Sequence, residues 1–97
     1  MELIVGSYID NVKCENFKDP ETGRVRVRPL PDQGLATNLV IECSRVEREK
    51  HPLGTQFITS DVKVCMKPDG RIYLRARDQI ITKLIGILSF IILALYL

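Results

Sequence analysis

Six arginines carry the most regular pattern of chemically capable side chains in this sequence. In "RVRVRP", Arg24, Arg26 and Arg28 alternate with Val25 and Val27. A period of two puts the arginines on one face of a strand and the valines on the other. The pattern returns in "RIYLRAR", where Arg71, Tyr73, Arg75 and Arg77 share a face opposite Ile72, Leu74 and Ala76. A row of guanidinium groups suits an anionic partner. Two functional readings follow. Arginines on phosphates, with Tyr73 as a ring on which a base stacks for roughly 1–3 kcal/mol, would make a nucleic-acid surface. Alternatively, each basic group close to a bilayer gains about 1 kcal/mol from anionic lipid. Lipid ranks higher, because Arg75 and Arg77 lie within ten residues of an uncharged apolar segment. The plain alternative is that the apolar positions fill a core and the arginines solvate its outside.

Other reactive side chains fit catalysis poorly. His51 is the single histidine and precedes Pro52 in a turn. Zinc ligands come in close pairs, and neither His51 nor Cys14, Cys43 and Cys65 has such a neighbour. An odd cysteine count at wide spacing is no disulfide framework either, so the thiols read as reduced, buried small hydrophobes. Glu47 and Glu49 sit among Arg45, Arg48 and Lys50, as on a salt-bridged surface. No nucleophile elbow or phosphate-binding glycine loop occurs. The expectation is a non-enzyme with no cofactor and no metal.

The elements that must position the arginines are strands punctuated by strong turns. Residues 2–14 mix both parities, with Ile4, Tyr8, Val12 and Cys14 against Leu3, Val5 and Ile9, so a long curved strand with a bend at Gly6 is expected. "KDPETG" is a hairpin turn leading into the strand Arg24–Arg28, and the prolines of "PLPDQG" then enforce a loop. A third strand is expected through Leu39, Ile41 and Cys43, followed by a segment Arg45–Lys50 that suits a short helical turn. "QFITSDVKVCM" is the fourth strand, with Ile58, Val62, Val64 and Met66 read as inward. "KPDG" turns it into the fifth.

Ninety-seven residues allow one small domain, and a domain this size buries only about 60% of its unfolded surface. An open sheet with one wet face would bury too little to offset chain entropy. The expected fold is therefore all-β: a small five-stranded barrel of SH3-like or OB-like type over residues 1–79, followed by a C-terminal hydrophobic helix over 80–97.

That second segment is set apart by composition. From Leu84 to Leu97 no residue is charged, and ten of the fourteen are Leu, Ile or Phe. They favour the bilayer by roughly 3–6 kcal/mol in sum. Starting at Ile80, a helix would reach about 27 Å against a hydrocarbon core of about 30 Å, with Lys83 snorkelling at the membrane flank. A helix that is apolar all round has no place on a small barrel. Arg75, Arg77 and Lys83 precede the segment and nothing basic follows, so the positive-inside rule keeps the N-terminal domain cytoplasmic. The apolar run in "MELIVGSYID" lacks a positive flank and is too short for a signal peptide. With 14 basic and 12 acidic residues, the overall charge itself directs the chain to neither nucleic acid nor membrane.

The stretches "GRVRVRPLPDQGLATNLVIECSR" and "REKHPLGTQF", about a third of the chain, resemble small uncharacterised bacterial proteins carried on mobile gene cassettes such as those of integrons. The resemblance implies a compact β-domain of unassigned role and transfers no functional residue. The combined reading is a single-pass, membrane-tethered β-barrel interaction module, anchored in lipid through its tail and serving an unknown protein partner. The alternative is a soluble cassette-type barrel that binds nucleic acid or protein, its tail packed as a core or oligomer helix.

Overall fold

The computed structural model describes residues 2–84. Six strands form one sheet: β1 Tyr8–Lys18, β2 Val25–Pro29, β3 Ile41–Glu42, β4 Gln56–Met66, β5 Ile72–Ala76 and β6 Thr82–Lys83, with a helical turn α1 at Arg45–Glu49. The first five follow the order β2-β1-β4-β5-β3 in a nearly closed barrel, and β6 adds to β4. Of the helix expected over residues 80–97, residues 85–97 lie outside the described residues, and residues 80–84 are not helical but contain the strand β6. Among the described residues no helix is long and apolar enough to cross a membrane.

Turn chemistry sets both hairpins. At the β1–β2 turn the Asp19 carboxylate accepts from the Glu21 N–H at 2.9 Å, and Gly23 takes φ 72°. At the β4–β5 turn Asp69 accepts from the Arg71 N–H at 3.0 Å, and Gly70 takes φ 89°. Positive φ is open to glycine at little cost. Beyond Pro29 the Leu30 N–H still donates to the Lys13 carbonyl, and the Gln33 amide completes the pairing. It accepts from the Lys13 N–H at 3.1 Å and donates to the Lys13 carbonyl at 2.6 Å.

The core joins Val12 and Cys14 of β1, Val27 of β2, Ile41 of β3, Phe57, Val62 and Val64 of β4, and Leu74 and Ala76 of β5, with Leu35, Cys43 and Ile81 from the connections. Valines between the β2 arginines, and Leu74 and Ala76 between those of β5, point inward as their alternation predicts.

Four details depart from the sequence expectation. The inward set on β4 is Phe57, Thr59, Val62 and Val64; Ile58 is half-buried on the outer side and Met66 is 55% exposed. The cause is a bend at the level of Asn11 and Ser60, the one position where the β1–β4 register is interrupted. Asn11 adopts φ 54°, and past it both strands exchange their inward and outward faces. Gly6 is not that bend; it serves an earlier turn. The third strand contracts to two residues and runs parallel to β5, because the Gly34–Val40 loop carries the chain across the barrel before it pairs. Finally, the barrel does not stop at Gln79. Ile81 is 5% exposed in the core, and Thr82 and Lys83 pair with Ile58 and Phe57.

Candidate functional site

Between β2 and β3 the barrel has neighbouring strands with no ladder. On β2, alternate hydrogen bonding to β1, marked at its ends by Asp19 N–H to the Arg24 carbonyl and Leu30 N–H to the Lys13 carbonyl, turns the amide groups of Val25 and Val27 toward this seam. Arg48 spans it. Its Nε donates to the Val25 carbonyl at 2.9 Å and its Nη1 to the Cys43 carbonyl at 2.7 Å. One planar guanidinium thus takes the place of ladder bonds.

Arg48 is itself held from behind. Asn16 is 1% exposed on β1; its Nδ2 donates to the Arg48 and His51 carbonyls at 3.0 and 3.3 Å, and its Oδ1 accepts from the Thr55 N–H at 3.0 Å. Ser44 caps the helical turn, accepting from the Glu47 N–H at 3.2 Å. Sequence reading passed over this clamp. The S-x-x-E spacing of Ser44 and Glu47 is the sequence signal for the turn that fixes Arg48 there, although only the serine half of the cap forms, the Ser44 N–H donating instead to the Gln79 carbonyl at 2.9 Å.

Two hollows mark the seam. One of about 250 Å³ is lined by Arg24, Arg26, Ile41, Cys43, Arg48 and Gln79 among others. A wider groove of about 710 Å³ runs outside it, walled by the β1–β2 turn, the face of β2, residues 37–40 and the start of β5. Arg24, Arg26, Arg28, Arg71 and Tyr73 all line this groove. Barrel closure thereby joins the two arginine rows that the sequence keeps apart.

Arg75 and Arg77 are left out. Arg75 Nη2 lies 3.4 Å from Glu42 and donates to the Tyr73 hydroxyl at 3.0 Å, while Arg77 pairs with Asp61 at 3.3 Å and lies over the Tyr8 ring. Lys83 sits on β6 opposite Phe57. Its place is the sheet, within the stretch from Ile80 that was expected to begin the hydrophobic helix.

Most groove cations already have partners. Arg28 meets Glu15 at 3.0 Å and lies 4.5 Å from the centre of the Phe17 ring; Lys67 meets Glu42 at 2.9 Å. The bond from Lys67 holds the Glu42 carboxyl below its usual pKa, with the charges of Lys67 and Arg75 adding to it. Arg26 Nε stands 3.0 Å from Asp19, yet its N–H is not directed at the carboxylate, so this buried donor makes no hydrogen bond. The Asp19 carboxyl is lowered chiefly by the Glu21 N–H, then by the Thr22 hydroxyl, and less by Arg26. Arg24 and Arg71 have no ion-pair partner among the described residues.

Tyr73 is a poorer stacking platform than its sequence position suggested. Lys67 Nζ lies 4.2 Å from the ring centre and the Arg75 guanidinium 5.8 Å. His51 packs edge-on against Phe57 with ring centres 5.5 Å apart. Burial pushes the Cys14 thiol up to about 12, helped by Cys43, and burial likewise raises Cys43 against the opposing pull of Arg48. Among the described residues no group of three or more His, Cys, Asp or Glu is placed to hold a metal. Comparison with protein-family models, curated proteins and solved structures finds no match.

Proposed function

We propose that this protein is a non-enzymatic interaction module of the SH3-like or OB-like barrel kind, tethered to a membrane by a hydrophobic helix over its last residues. The observation that carries the tether is the continuity of Ile81 in the core, Thr82 and Lys83 in the sheet, and the uncharged run that begins at Leu84. A segment of this hydropathy joined directly to a folded strand needs a nonaqueous environment of its own. Arg75, Arg77 and Lys83 lie just before it, which supports a barrel on the cytoplasmic side. Lipid is then one partner through the tail, and the seam groove is the surface offered to a second.

Fractionation tests the tether. The full chain is expected to stay with membranes through carbonate and high salt and to leave only with detergent. A full chain that is monomeric and soluble without detergent overturns the reading. A soluble oligomer would favour the cassette-type alternative, with the tail packed between copies.

A further inference from the structure

We infer that the groove over the β2–β3 seam binds an extended acidic protein segment, with Arg24 and Arg71 as its principal charge contacts. This deepens the interaction-module reading and rests on it, but it is independent of the tether.

The argument starts from what the groove leaves unmet. Its cations come from both walls, Arg24 from just before β2 and Arg71 from just before β5, and of the groove's cations these two have no ion-pair partner among the described residues. Between them lies Arg26 Nε, shielded from solvent and without a hydrogen bond. A buried donor left unpaired carries its desolvation penalty in full. Asp19 already stands beside it: one carboxylate oxygen accepts from the Glu21 N–H, and the other lies 3.0 Å from Arg26 Nε without aligned hydrogen-bond geometry. A carboxylate entering from outside meets the exposed guanidinium of Arg24 or Arg71. Charge-assisted hydrogen bonds of this kind are among the stronger polar contacts.

The walls also discriminate between anions. Phe17 and Tyr73 are the aromatic residues in the lining, and each ring already carries a cation, Arg28 on Phe17 and both Lys67 and Arg75 near Tyr73. A nucleobase would have to displace one of these to stack, forfeiting the contact on which single-strand binding depends. Asp19, Glu21 and Glu42 stand among the cations. A polyphosphate, with a charge on every unit, must pass these carboxylates, whereas a peptide can set its acids opposite Arg24 and Arg71 and place neutral side chains elsewhere. An open cleft of this size takes a short segment of chain, in the range of ordinary ligand sites.

The test uses the full chain in a nonionic detergent micelle, which supplies no anionic lipid. A fluorescein-labelled octapeptide of alternating Glu and Ser is titrated by anisotropy beside its Gln-for-Glu counterpart and an eight-residue oligothymidylate. The acidic peptide is expected to bind in a salt-sensitive way and the Gln peptide not to bind. R24Q/R71Q is expected to weaken binding about tenfold, from the loss of two solvent-exposed ion pairs, while R24K/R71K keeps most of it. Thermal unfolding verifies that each variant folds; the lysine pair keeps the comparison valid should the glutamine pair fail to. Absence of peptide binding, binding indifferent to R24Q/R71Q, or tighter binding of the oligonucleotide overturns the assignment. Peptide binding by a chain that fractionates as soluble would sink the tether alone; membrane retention without peptide binding would sink the groove assignment alone.

Discussion

Arg48 Nε donates to the Val25 carbonyl at 2.9 Å, tying a residue of the helical turn to the otherwise unladdered edge of β2. With its second bond to Cys43, this side chain closes the barrel where backbone pairing stops. Arg48→Ala would orphan both carbonyls. Hydrogen bonds from a charged donor contribute about 1.5–3 kcal/mol each, so a loss of at least about 3 kcal/mol is expected, or upward of roughly 12 °C in Tm for a domain of this size. Arg48→Lys should recover less than half, having one point charge in place of a planar fork. Thermal denaturation of the two variants decides it, and an unchanged Tm in Arg48→Ala would show that the seam closes without the clamp.

Asp10 and Asp61 oppose each other in the β1–β4 register. A proton shared with Asp61, and after it the repulsion between the two charges, raises the Asp10 carboxyl above its usual value. Because the folded pKa exceeds the unfolded one, the native state binds more protons between the two values, and stability falls as pH rises through that window. Asp10→Asn mimics the protonated form. Its Tm is expected to exceed that of the parent at pH 7, with the gap closing toward pH 3; a gap of the opposite sign would refute the pairing. Asp19 and Glu42 act the other way, since their lowered values contribute stability above their unfolded pKa that is lost as pH falls.

Where the barrel ends can be tested by truncation. A chain stopped at Leu84 keeps Ile81 and both pairs of β6 and is expected to fold cooperatively. Stopping at Gln79 removes Ile81 from the core, at about 1.5–3 kcal/mol for a buried aliphatic side chain, and also strips the edge of β4. Urea midpoints of the two chains should differ accordingly. Equal midpoints would place the boundary back at Gln79.

Thiol reactivity offers an independent check on the core. Cys14 and Cys43 are buried and hold their protons, whereas Cys65 is half-exposed on the outer side of β4. Maleimide at pH 7 should label Cys65 within minutes and the other two only on unfolding, since the thiolate is the attacking form. Rapid labelling of Cys14 in the folded protein, read by mass spectrometry, would mean that its strand faces the other way.

Much of the barrel was legible because local chemistry and burial agree. Alternating valines and arginines gave the faces of β2, and the Asp, Pro and Gly of each hairpin gave its turn. What the sequence hid is non-local. Period-two reasoning cannot detect a bend shared by two strands, so Ile58 and Met66 were placed inside and Phe57 and Thr59 were overlooked. Composition marks where charge stops, not where packing stops, so Ile81 was read with the apolar tail although its side chain completes the core. The groove was half visible: both arginine rows were evident, but their meeting depends on closure, and Arg48 read as one charge in a mixed run. Which arginines carry partners depends on cross-strand neighbours such as Glu15 and Glu42 that no short window contains.

The bend at Asn11 and Ser60 bears on how β1 finds β4. These strands are far apart in sequence, and no hairpin turn sets their alignment. In a regular ladder a slip of two residues keeps every side chain on its proper face, so hydrophobic patterning alone cannot reject it. Here each strand changes phase at one point, and only one alignment brings the two changes level. A two-residue offset would leave a mismatched stretch between them, setting outward Asp61 opposite inward Val12 or outward Asp10 opposite inward Thr59. The kink thus works as an alignment mark, rejecting misregistered pairings while the chain is still assembling.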